Sequence, residues 1–70
     1  MVNTQLLDDK ISRSGLKTGF ICEKIGISRQ AFYKKKNNIN CFREAERFVI
    51  KTILNLSDEE VSEIFFAEKS

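Results

Sequence analysis

An all-α domain of five short helices is what the sequence predicts, on three observations. The 70 residues contain no proline, and their three glycines all fall in the first half. No long stretch alternates apolar and polar residues as a strand would; apolar residues recur instead at three- and four-residue spacings. The apolar share of 41% suffices for one compact core, so residues 1–70 read as a single domain.

The elements follow in order. Leu7 and Ile11 lie four apart on one face of a first helix over about 4–14, with Asn3 or Thr4 as N-cap and Gly15 as the left-handed stop. A second helix over 18–25 carries Ile21, Cys22 and Ile25 inward and is broken by Gly26. Ser28 caps a third helix running through the lysines to Asn37, and Asn38, Ile39 and Asn40 form a polar connection. Asn40 is the expected cap of a fourth helix in which Phe42, Ala45, Val49 and Ile53 recur, ending near Leu54 with Asn55 left-handed. Ser57 and Glu60 bracket a capping box, and the helix that follows turns Val61, Ile64 and Phe65 inward, with 67–70 frayed.

Composition excludes several functions. Without histidine there is no imidazole for a Ser/His/Asp or Cys/His mechanism, and two isolated cysteines cannot supply four ligands to a structural zinc. The chain is therefore not expected to be an enzyme or to hold a metal or other cofactor. Asp8 and Asp9 stand where a signal peptide needs an apolar run, and no stretch is long and apolar enough to span a membrane, so a cytosolic protein is expected. In that compartment Cys22 and Cys41 should be reduced and buried as small hydrophobes.

The net charge of +2 is unevenly placed. Residues 1–36 hold eight Lys/Arg against three acids, a net of +5, and residues 37–70 hold four against seven, a net of −3. That asymmetry directs attention to an anionic partner for the basic half. There, a short helix, a glycine turn and a second short helix rich in Arg, Gln and Lys form the arrangement that sets one helix into the major groove of DNA. Cys22 is small where the helices would cross, and Ile25, Ile27 and Phe32 would seal the crossing. Ser28, Arg29, Gln30, Tyr33, Lys34 and Asn37 are left outward.

Arg29 and Gln30, near the helix start, are the types that pair bidentately with guanine and adenine. Lys34, Lys35 and Lys36 suit phosphate, and Lys17 and Thr18 open the bracing helix, whose free amides can hold another phosphate. The lysine run by itself would be only a solvated helix end, and the acidic residues 58–60 read as caps rather than a metal site. Phe65 and Phe66 are adjacent and cannot both face one core, which makes one of them a candidate dimer surface.

The run Gly15-Leu16-Lys17-Thr18-Gly19-Phe20-Ile21-Cys22-Glu23-Lys24-Ile25-Gly26-Ile27-Ser28-Arg29-Gln30 resembles the helix-turn-helix of the Cro/lambda-repressor-like (XRE) family. The ending from Leu54 through Ser57-Asp58-Glu59-Glu60-Val61 to Phe66 is similar to that family's fifth helix, notably in small prophage regulators. The resemblance implies a five-helix transcriptional regulator that binds near-palindromic operator DNA as a homodimer. By position it implies base readers Arg29, Gln30 and Lys34, with Lys17, Thr18, Ser28, Tyr33, Lys35, Lys36 and Asn38 on the DNA backbone. Thr18 replaces a common Gln, and Lys35 stands where many members place an apolar residue. The rival reading is an interaction module, of antirepressor or antitoxin-adaptor type, that keeps the fold without binding DNA.

Overall fold

In the computed structural model, which describes residues 1–67, the chain forms α1 (Thr4–Ser14), α2 (Thr18–Ile25), α3 (Arg29–Lys36), α4 (Glu44–Ile53) and α5 (Asp58–Phe65), with no strand among the described residues. The fraying expected at the C-terminus lies, from position 68, outside the described residues. Among the described residues no helix is long and apolar enough to cross a membrane.

The Asn3 side chain accepts the Leu6 amide to start α1, and Gly15, at φ 75°, ends it. The Asn3 amide donates to the Ile64 carbonyl at 2.6 Å, which ties the start of α1 to α5. Helix α1 packs on α5, α2 on both α3 and α4, and α4 on α5. Leu7, Ile21, Phe32, Ile50 and Ile64 meet in the centre with essentially no solvent contact. Phe32, Phe42 and Phe65 run through that core edge to face, with centroids 5.9 and 5.5 Å apart.

Helix α4 departs from expectation at its start and in its buried face. Asn40 does not cap it; the helix begins at Glu44 with Arg43 as its cap residue. The reason lies upstream, where Asn38 turns left-handed (φ 67°) and the Ile39 and Asn40 amides both donate to the Lys34 carbonyl. Asn40 thus lies in the turn that finishes α3, and Cys41 and Phe42 continue as irregular chain before α4 begins. The Glu46 carboxylate closes the first turn of α4 by accepting the Arg43 amide at 2.7 Å. Phe42, Glu46 and Ile50 then face the core, Val49 and Ile53 are half-buried, and Ala45 is exposed.

The remaining stops and starts lie where expected. Asn55 is left-handed at φ 53°, and the Leu56 amide reaches back to the Lys51 carbonyl at 2.9 Å, which closes α4. In α5 the Ser57 hydroxyl accepts the Glu60 amide and Glu60 accepts the Ser57 amide, at 3.1 and 2.9 Å. Lys10 of α1 also bonds Glu60. The Lys10 ammonium and the Ser57 amide hold the Glu60 carboxyl at about 2, against an ordinary 4.5. Both cysteines are free thiols, but only Cys22 is buried; Cys41 is exposed because it lies in the irregular segment before α4.

Candidate nucleic-acid interface

The connection between α2 and α3 is three residues long. Gly26 takes φ 87°, a left-handed conformation that an L side chain would strain, and the Gly26 and Ile27 amides both donate to the Cys22 carbonyl, at 2.8 and 3.1 Å. Ser28 then accepts the Ala31 amide at 3.1 Å and starts α3. Cys22, 3% exposed, lies beneath this turn, and Phe32, 1% exposed, pins the inner side of α3 to the core. Ile25 and Ile27 pack against the same core from the sides.

What α3 leaves outward is one chemically consistent face. Arg29, Gln30, Tyr33, Lys34 and the cap residue Asn37 are exposed, and Ala31 is half-buried at the edge. No carboxylate occurs anywhere from Arg29 to Lys36. The face therefore offers a guanidinium fork, an amide, a phenol and an ammonium, a set that donates to base edges and phosphates.

The other two lysines turn inward. The Lys35 ammonium contacts both Glu46 carboxylate oxygens at 2.7 Å, with the two side chains 13% and 11% exposed. Burial pushes the Glu46 carboxyl up, but the Arg43 amide and the Lys35 ammonium outweigh it and hold the group below its ordinary 4.5. Lys36 reaches back to Asp8 of α1 at 2.8 Å and lies 4.8 Å from the centre of the Tyr33 ring. Asn38, expected on the DNA backbone, holds the N-terminal segment instead: its Oδ1 accepts the Val2 amide and its Nδ2 donates to the Val2 carbonyl. Thr4 adds a bond from its hydroxyl to the Lys36 carbonyl. Lys35, Lys36 and Asn38 thus serve to fix the end of α3, and their polar groups are engaged within the protein.

At the other end, Arg29 rests against α2. A Cβ at Gly19 would meet Arg29 Nη2 at 2.6 Å, so the absent side chain is what admits the guanidinium there. Lys17, exposed, Gly19 and Arg29 line one open cleft with Cys22 at its base. No side chain caps α2, and its first amides face this region beside half-buried Thr18. Burial pushes the Cys22 thiol above its ordinary 9.0, against the pull of Arg29, which favours the neutral thiol at this packed position.

The structure thus brings Lys17 and Arg29 to one cleft, leaves Ser28, Gln30, Tyr33 and Lys34 exposed along α3 and its cap, and half-buries Thr18 at the start of α2. Glu46 is the residue that sequence reasoning missed. Its signal was its spacing, four residues from both Phe42 and Ile50, just as Lys35 and Lys36 stand three and four residues after Phe32. Arg43, exposed at the start of α4, is a further cation on the connection from α3. Among the described residues no group of His, Cys, Asp or Glu is gathered as a metal site. No protein-family model, curated protein or solved structure matches this chain.

Proposed function

We propose that this chain binds double-stranded DNA sequence-specifically, as a phage- or prophage-type transcriptional regulator of the Cro/lambda-repressor-like kind. Helices α2 and α3 are its helix-turn-helix, and α3 enters the major groove. The observation that carries the reading is the exposed face of α3, which holds cations, amides and a phenol but no acid, while its opposite side is locked by Phe32 and the Lys35–Glu46 pair. A helix built this way is rigid on the inside and readable on the outside.

Arg29 and Gln30 read bases from the first turn, where penetration into the groove is deepest, and Lys34 joins them one turn later. Arg29 leaves its seat beside Gly19 to do so. Lys17, Thr18 with the first amides of α2, Ser28 and Tyr33 hold phosphates and set the register. Two copies on a near-palindrome complete the operator complex.

Selection of bound duplexes from a random pool tests this reading. The expected product is a consensus of two inverted half-sites about 10 base pairs apart. Arg29→Ala should relax preference at one position per half-site, a loss of about 1–3 kcal/mol in discrimination. A pool that yields no consensus, or an Arg29→Ala protein that selects the wild-type consensus unchanged, contradicts the assignment of α3.

A further inference from the structure

The side of α4 and α5 turned away from the core exposes two aromatic rings. Phe48 is 66% and Phe66 56% exposed, and they line one shallow depression with Glu44, Arg47, Lys51 and Val61. The Arg47 guanidinium lies 5.1 Å from the centre of the Phe66 ring and bridges the two helices. Clustered apolar exposure of this kind marks a surface that another molecule covers.

The order of charges along α4 identifies the occupant. Glu44, Phe48 and Lys51 are spaced four and three residues apart and share one face, so that face reads acid, ring, base. Two such helices laid antiparallel, with the twofold axis between Arg47 and Phe48, set Glu44 of each copy against Lys51 of the other. The two Phe48 rings then meet near the axis, and the helix dipoles oppose. A pattern complementary to itself under a twofold specifies a second copy of this chain. Lys51 also pairs with Asp58 at the start of α5, and its three donors leave room for a second carboxylate.

We propose that the α4–α5 face, centred on Phe48, is the homodimer interface of this protein. It deepens the DNA-binding reading, which asks for two recognition helices on two half-sites, but the interface is specified without DNA.

Sedimentation equilibrium without DNA tests it on the wild type, Glu44→Lys, Lys51→Glu and an equimolar mixture of the two variants, with circular dichroism to verify the fold of each. The wild type should dimerise. Each variant alone places like charges across the axis and should self-associate at least about tenfold more weakly. The mixture should recover association as a heterodimer, because all four facing charges then pair. Phe48→Ala, which changes no charge, should weaken the dimer as well. A wild type that stays monomeric into the millimolar range, variants that dimerise as it does, or a mixture that recovers nothing overturns the proposal. A dimer that binds no duplex would overturn the reading of α3 and leave this interface standing; a monomer that selects a single half-site would do the reverse.

Discussion

Glu46 is a carboxylate on the core-facing side of a helix, and three bonds keep it there. Two come from Lys35 and one from the Arg43 amide, so the same side chain closes the first turn of α4 and fixes the last turn of α3. Glu46→Ala should therefore cost more than a surface substitution, because it strands the half-buried Lys35 ammonium and opens the α4 cap. A loss of about 2–3 kcal/mol in urea unfolding is expected, less than for a fully buried pair. The double variant Lys35→Met, Glu46→Leu should recover part of that loss. This pair was hard to see in the sequence, where each charge, taken singly, reads as solvated helix surface. Only their common offset from Phe32, Phe42 and Ile50 places both inside.

Element boundaries were legible where a local signal decides them. Gly15, Gly26 and Asn55 stop their helices in left-handed conformations, and Ser28 and Ser57 start theirs through side-chain caps. The start of α4 was not legible, because Asn40 carries a good capping side chain but belongs to the turn that ends α3, and the chain runs irregularly through Cys41 and Phe42 before Arg43 opens α4. The outward face of α3 followed from Phe32 and helical spacing; the inward turn of Lys35 and Lys36 needed partners from α4 and α1. Because α3 has only eight residues, its cap matters disproportionately. Ser28→Ala should lower stability by about 1 kcal/mol, seen as a drop in Tm, and should weaken DNA affinity through disorder at Arg29 and Gln30.

Across the whole molecule, carboxylates tie the helices together. Glu60 joins α5 to α1 through Lys10, Glu46 joins α4 to α3, and Asp58, lowered by Lys51, joins α5 to α4. All three have folded-state values below their ordinary ones, so the stability they contribute is present above the ordinary carboxylate range and is lost as pH falls through the folded values. Thermal unfolding should be insensitive to pH above about 5, and Tm should fall as pH drops from about 4.5 toward 2. Glu60→Gln should flatten that fall, and a Tm that rises on acidification would contradict this account of the ties between helices.

The same scale holds the charge asymmetry, +5 over residues 1–36 and −3 over residues 37–70, on which the proposal of an anionic partner for α2 and α3 rests. Part of the basic charge is spent internally, on Glu46 and Asp8, and the proposed DNA contacts draw on Lys17, Arg29 and Lys34 from what remains. The most direct measurement is the affinity for a selected duplex as a function of salt, for the wild type and for Lys17→Ala, Lys34→Ala and Lys36→Ala. Log K should fall linearly with log salt, with a slope of about −2 to −3 per protomer. Lys17→Ala should flatten it by about 1 and Lys34→Ala, which removes a base reader, by less, whereas Lys36→Ala should change it little. A salt-independent affinity, or slopes that respond to Lys36 and not to Lys17 or Lys34, would contradict the account of α3 as a DNA-reading helix held from within.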